Sequence, residues 1–535
     1  MTRARSVIAA FLAACALAAS PTAAQADTSP ANAPAPLPAP SGDHTGGVSK
    51  VVGGDSVSAI TLSLCGKVYV YVQPLAPTSA GFVSHLPMTV FVSEPTRGFA
   101  RQQMTIFNPG SPTLVTGQAS YVMFTSAPEG RGPGALIELS WSGGGTTIQT
   151  DPYLDNCYGD FVPTLPTRLL DTRTGAGRST AGKVAPGIVA LDVSGPVDRR
   201  SEGVTAVILN VTVTNPETAG YVTVFPCGDT LPTASNLNFA AGETVPNLVV
   251  VDLVGRQPIG KVCLYSSAAT DLLADLTGYY LDDDPTVTGS PAALFKPLNL
   301  PQRLLDTRAT TTVAGGTTIR VPTAGRFGIP TTGVNALSMN ITATQPATSG
   351  YLTVYPCDTQ LPDASNVNFV AGQTRPNAAI VGTGANGEIC VFASTTTHIL
   401  VDVIGYFGAL ADGVPYWPHV PLRRWDSRSN LNTGETSPRR LGAGTSFTYI
   451  TPGYIAGDVL NLNVTVTDPT ADGYVSVYPC AQGVPGSSNL NFTTGQTAAN
   501  TVQVLVDQNR RICVYTSAPI NFIIDQSGTF FATRS

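Results

Sequence analysis

Gly220-Tyr221-Val222-Thr223-Val224-Phe225-Pro226-Cys227 returns as Gly350-Tyr351-Leu352-Thr353-Val354-Tyr355-Pro356-Cys357 and again as Gly473-Tyr474-Val475-Ser476-Val477-Tyr478-Pro479-Cys480. Alternate residues of an extended chain point to the same face, so Val222 and Val224 lie on one side while Tyr221, Thr223 and Phe225 lie on the other. The stretch reads as a half-buried strand closed by a proline and anchored by a cysteine. Outward from it, the neighbouring blocks recur in the same order. Upstream stand Arg168-Leu-Leu-Asp171-Thr-Arg173, Arg303-Leu-Leu-Asp306-Thr-Arg308 and, altered, Arg423-Arg-Trp-Asp426-Ser-Arg428, then Leu209-Asn-Val-Thr-Val-Thr214, Met339-Asn-Ile-Thr-Ala-Thr344 and Leu462-Asn-Val-Thr-Val-Thr467. Downstream come Ser235-Asn-Leu-Asn-Phe239, Ser365-Asn-Val-Asn-Phe369 and Ser488-Asn-Leu-Asn-Phe492, and each copy closes on an Asp and a Gly, at 275 and 278, 402 and 405, 525 and 528.

Equivalent Asp residues at 171, 306 and 426 are separated by far more than the roughly 20–50 residues of a solenoid or propeller repeat, so each copy is expected to be a domain. Within a copy, short β-branched runs alternate with Gly, Pro and Asn turns, and no 3.6-residue apolar stripe is sustained. About eight strands per copy fit. The fold expected is all-β: four tandem disulfide-stapled antiparallel β-sandwich domains, Ig-like or jelly-roll-like, three of them internal repeats. The boundaries are 48–158 for an N-terminal β-domain without the motifs, then 159–284, 285–410 and 411–535. Of the 535 residues, 43% are hydrophobic and 12% charged, with 53 Gly and 43 Pro. Low charge and abundant turn formers exclude an acidic disordered tail and a helical bundle. A net charge of −6 lacks the basic footprint of a nucleic-acid binder.

Met1 to Ala26 has the form of a secretory signal peptide: Arg3 and Arg5, the apolar run from Val7 to Ala19, and an A-x-A-like cleavage site before Asp27. The apolar run is shorter than the ~18–20 residues that span hydrocarbon, so no transmembrane segment is expected. Leu12-Ala13-Ala14-Cys15 offers a rival reading, a lipobox with an acylated Cys15 as anchor. Residues 27–47 are a Pro/Ala-rich linker. The remaining eight cysteines divide among the domains as Cys65 with Cys157, Cys227 with Cys263, Cys357 with Cys390 and Cys480 with Cys513. In an exported chain such pairs are expected to be disulfides. No CxxC occurs and no His recurs among the copies, so no metal site and no cofactor are expected.

At these motifs the chain resembles an uncharacterised repeat of secreted actinobacterial proteins, built around R-L-L-D-T-R, L-N-V-T-V-T, G-Y-x-T-V-Y-P-C, S-N-L-N-F and a final D-x-x-G-Y-Y/F. The likeness covers about residues 160–532. It implies extracellular β-modules, sometimes attached to secreted hydrolases, and carries over no catalytic residue. The third copy departs most, with Trp425, Ser427 and Thr529-Phe530 at motif positions.

Chemistry is sparse. His44, His85, His398 and His419 have no equivalents among the copies, so surface or packing roles are read, and no nucleophile motif is found. The recurring carboxylate pairs Asp171/Asp275, Asp306/Asp402 and Asp426/Asp525 are read as structural. Asp171 would pair with Arg168 or Arg173 and cap a turn, and Asp275 would satisfy backbone donors at a strand end. The Asn-x-Thr triplets at 210, 340, 463 and 491 are read as strand residues whose amides satisfy neighbouring backbone. The binding candidates are the aromatic pairs Tyr221/Phe225, Tyr351/Tyr355 and Tyr474/Tyr478, an exposed ladder for sugar rings if the valines face the core. The function expected is a secreted, non-enzymatic binding or adhesion protein, multivalent for cell-wall polymer or extracellular polysaccharide. Two alternatives are kept: a passive spacer displaying the N-terminal domain, and a hydrolase with a site in 48–158.

Overall fold

A computed structural model describes residues 159–195, 204–253, 260–282, 293–410, 412–429, 439–451 and 454–532, together with eight strands between 48 and 149. The signal peptide, Cys15, the linker, His44, His85, Cys65 and Cys157 lie outside the described residues. The chain divides into two compact units, Met1–Cys157 with Thr533–Ser535, and Tyr158–Ala532. In the first, Val48–Val52, Val57–Leu64, Lys67–Pro74 and Ser120–Thr125 form one antiparallel sheet in that order. Phe99–Ile106, Met88–Glu94, Leu136–Trp141 and Gly144–Gln149 form another.

The second unit is all-β and antiparallel, and each copy of the repeat contributes eight strands. In the first copy, Val245–Asp252, Val204–Thr214, Asp271–Asp282 and Gly159–Asp171 form a sheet in that order. Gly187–Asp192, Lys261–Ser266, Gly220–Pro226 and Leu237–Phe239 form the other. Numbered along the copy, the orders are 6-3-8-1 and 2-7-4-5, the connectivity of a double Greek key. Both sheets feed one hydrophobic cluster, in which Val207, Leu209, Val211 and Val213 meet Val222, Val224, Val262 and Leu264. Equivalent clusters fill the second and third copies.

The expectation of four tandem sandwich domains is corrected here. The three copies are fused into one body, a ring of six four-strand blocks of which two are continuous as a single eight-stranded sheet. The physical reason lies in the long strands, such as Val204–Thr214, which is buried along nearly its whole length on both faces. Val207 and Leu209 face the copy's own core, whereas Ala206 and Ile208 face a second cluster shared by all three copies. At its heart are six rings, two from each copy: Phe161, Tyr280, Phe295, Phe407, Tyr416 and Phe530, with neighbouring centroids 4.4 to 6.3 Å apart. Gly278, Gly405 and Gly528 admit these rings, since a Cβ at Gly278 would stand 2.5 Å from Phe161 and one at Gly405 2.5 Å from Phe295. The closing glycine of each copy is therefore a packing requirement.

Buried amides lock the ring. Asn210 Nδ2 donates to the Ser365 carbonyl (2.6 Å), Asn340 Nδ2 to Ser488 (2.8 Å) and Asn463 Nδ2 to Ser235 (2.7 Å), so copy 1 holds copy 2, copy 2 holds copy 3, and copy 3 holds copy 1. Running the other way, Asn377 donates to Asn210 Oδ1 (2.9 Å), Asn500 to Asn340 Oδ1 (3.0 Å) and Asn247 to Asn463 Oδ1 (2.9 Å). The amides at 210, 340 and 463 thus satisfy the backbone of the next copy, not that of their own sheet. The ring closes through the backbone as well. Tyr416 pairs with Gly159 on one side and with Phe530 on the other, joining the long-strand sheets of copies 1 and 3 into one of eight strands.

Candidate functional site

The strand Gly220–Pro226 behaves as its alternation requires on the inner side, with Val222 and Val224 in the core. On the other face the ladder is cut to half. Tyr221, Tyr351 and Tyr474 are 38, 39 and 36% exposed, but Phe225, Tyr355 and Tyr478 are buried. The cysteine two residues on explains the difference. Cys227–Cys263, Cys357–Cys390 and Cys480–Cys513 are disulfides, and Phe225 with Tyr265, like Tyr355 with Phe392, packs over the bridge. Thr223 is also buried, its hydroxyl donating to the Ala234 carbonyl at 2.7 Å.

The surviving tyrosines are held firmly. Tyr221 N donates to Ser267 Oγ (2.8 Å), Tyr351 N to Ser394 Oγ (2.7 Å) and Tyr474 N to Ser517 Oγ (2.9 Å). Each ring leans on an aromatic of the adjoining strand: Tyr265 at 5.8 Å, Phe392 at 6.0 Å and Tyr515 at 5.8 Å. The glycine before each tyrosine permits this approach. A Cβ at Gly220, Gly350 or Gly473 would fall 2.6 to 2.7 Å from the serine hydroxyl just named.

The arginine motif forms a chain of alternating charge. Arg168 grips Asp275 with Nε and Nη2 (2.7 and 3.0 Å), and its Nη1 reaches Asp171 (3.5 Å). Asp171 in turn accepts Nε, Nη2 and the backbone N–H of Arg173 at 2.9, 2.7 and 3.0 Å. The second and third copies repeat the set: Arg303 holds Asp402 and Asp306, Arg308 holds Asp306, Arg423 holds Asp525 and Asp426, and Arg428 holds Asp426. Asp171 caps its turn and pairs with both arginines. Asp275, expected to satisfy backbone donors, instead takes the Arg168 fork. The Arg173 side chain holds the Asp171 carboxyl below the usual carboxylate range, and Arg308 holds Asp306 well below it. Burial pushes Asp275, Asp402 and Asp525 up, against the pull of their arginines.

These two motifs meet across a copy boundary. A groove of about 360 Å³ is lined by Arg303, Arg308, Thr342 and Thr344 of the second copy and by Tyr474, Gly486, Ser488 and Asn491 of the third. Reading each motif within its own copy misses this, because the partners are supplied by the next copy around the ring. One signal was available: the residue after the proline in Leu/Val-Pro-x-Ala/Ser-Ser-Asn varies as Thr233, Asp363 and Gly486. His398 Nδ1 pairs with Thr307 Oγ1 (3.2 Å) and His419 Nδ1 with the Val420 carbonyl (3.0 Å), both outside the groove. Among the described residues no group of three or more His, Cys, Asp or Glu could hold a metal ion, and no helix is long and apolar enough to cross a membrane.

No described protein family and no curated protein matches the chain. Among solved structures it is similar to a chain of the Sulfolobus turreted icosahedral virus, at 9% identity and TM-score 0.15 over 70% of this chain and 92% of that one. It is also similar to the CBM22-1–CBM22-2 tandem domain of Paenibacillus barcinonensis Xyn10C, at 13% identity and TM-score 0.16 over 46% of this chain and 99% of that one. With TM-scores so low, neither likeness fixes a fold or a function.

Proposed function

We propose that this protein is a secreted, non-enzymatic attachment protein whose fused β-repeats hold extracellular or cell-envelope polysaccharide. The observation that carries the reading is the set of half-exposed rings of Tyr221, Tyr351 and Tyr474, each propped on a second aromatic at an equivalent place in the ring of repeats. A sugar presents an apolar C–H face, which stacks on an aromatic ring, and a rim of hydroxyls, which needs fixed donors and acceptors beside it. The groove at Tyr474 supplies both. Carboxylates tied into arginine forks suit such recognition and are poorly placed for proton transfer. Three rings on one rigid body let weak contacts add, which is the use made of the repetition. The disulfides suit an oxidising, extracellular setting, and the resemblance of the motifs to secreted actinobacterial modules points the same way.

The test is co-sedimentation of the full chain with insoluble polysaccharides and purified cell walls, beside a Tyr221→Ala/Tyr351→Ala/Tyr474→Ala variant of unchanged circular dichroism. Saturable binding weakened about tenfold or more in the variant supports the reading, since several stacking contacts are lost together. Binding to none of the polymers, or equal binding by both proteins, overturns it.

A further inference from the structure

The three copy boundaries are not equal. The position after the proline faces the arginine pair of the preceding copy and is a different residue in each. Between copies 1 and 2 it is Asp363, whose carboxylate stands within electrostatic reach of Arg168 and Arg173. Between copies 3 and 1 it is Thr233, whose carbonyl accepts Arg423 Nη2 at 3.1 Å and draws the two copies together. Between copies 2 and 3 it is Gly486, and a Cβ built there meets no atom within 4 Å. We infer that the boundary between copies 2 and 3 is the principal sugar site of the protein and that it takes a neutral sugar. This rests on the polysaccharide reading above and adds to it a place and a ligand class.

The charge of the groove selects the ligand. Arg303 and Arg308 are matched by Asp402 and Asp306, so the cluster has no net charge to offer an anion. Among the described residues of the third copy, Gly486 stands where the second copy has Asp363 and brings no carboxylate to it. Arg308 uses Nε and Nη2 on Asp306, which leaves the two N–H groups of Nη1 outside that pair. The hydroxyls of Thr344 and Thr374, 2.7 Å apart, share one hydrogen bond and Ser488 Oγ donates to Asn491 Oδ1 at 2.9 Å, so these oxygens face a ligand chiefly as acceptors beside the Arg308 donors. Mixed donors and acceptors without net charge, next to an aromatic face, match vicinal hydroxyls. The volume is near the lower limit of ligand sites, room for about one or two sugar rings.

The proposal is tested by native electrophoresis of the full chain through gels containing xylan, galactomannan or hydroxyethylcellulose, with polygalacturonate as the acidic polymer. Gly486→Asp copies the residue of the second repeat, and its backbone is one that any residue adopts. Retardation by a neutral polymer that weakens about tenfold in Gly486→Asp, as a misplaced charge in a polar site would cause, is expected. Among single tyrosine variants, Tyr474→Ala should weaken retardation more than Tyr221→Ala or Tyr351→Ala, because it is Tyr474 that lines that groove. Unchanged retardation of Gly486→Asp, a loss in Tyr221→Ala or Tyr351→Ala as large as in Tyr474→Ala, or retardation by polygalacturonate alone overturns the assigned site while polysaccharide binding stands. No retardation in any gel, together with no co-sedimentation, overturns both.

Discussion

Tyr280 carries a hydroxyl that its counterparts Phe407 and Phe530 lack, and that oxygen is buried with no hydrogen-bond partner among the described residues. A buried unsatisfied hydroxyl costs about 1–3 kcal/mol. Tyr280→Phe should therefore raise stability by about 1 kcal/mol, read as a higher guanidinium midpoint at unchanged slope. Asn377 is the opposite case: its Nδ2 serves Asn210 Oδ1 and the Asn366 carbonyl, while its Oδ1 accepts Leu248 N. Asn377→Leu strands those three groups and should lower stability by about 2–4 kcal/mol in the same denaturation series. Sequence reading found the inward valines and the three recurring cysteine pairs because each follows from local alternation or from counting. It could not find what Asn377 does, since an asparagine in a β-run is ambiguous until the neighbouring copy is in place. Phe225 was misread for a related reason: alternation fixes a face, but only the bridge at Cys227 decides that this face is covered.

The turn bearing Arg168, Asp171 and Arg173 sets the acid behaviour of each repeat. Asp171, Asp306 and Asp426 ionise more readily folded than unfolded, so their stabilisation is complete above the ordinary carboxylate value of 3.8 and is lost as pH falls below it. Asp275, Asp402 and Asp525, pushed the other way by burial, act with opposite sign just above that value. A variant with Asn at 171, 306 and 426 should melt lower than the parent at pH 7 and show a flatter fall of Tm between about pH 4 and 2. Thermal circular dichroism across that range decides it, and parallel Tm profiles would refute the assignment. The long strand Val204–Thr214 was the most legible warning that repeats do not stand alone. Its run Val-Ile-Leu at 207–209 is apolar on successive residues, which a strand with one wet face cannot afford.

At the scale of the molecule, six rings and a closed circuit of amides bind the copies to one another, so the unit Tyr158–Ala532 should unfold in a single calorimetric transition with matching van't Hoff and calorimetric enthalpies. A fragment of residues 285–410 alone would expose Phe295, Phe407 and the half-satisfied amides Asn340 and Asn377. It is expected to associate or stay unfolded. A monomeric fragment melting near the parent, by scattering and calorimetry, would show the copies to be self-sufficient. The repetition was plain in the sequence, but spacing along a chain cannot distinguish domains on a string from domains in a circle. Only the second face of the long strands carries that information.

The pairing of Tyr416 with both Gly159 and Phe530 puts the first and last strands of this unit on either side of one residue, about 10 Å apart. A bridge of about three extended residues would span that gap. The order in which the three copies are encoded is then a convention of the gene and not a property of the fold: versions rewritten to start at the second or third copy, with old ends spliced, should reach the same structure.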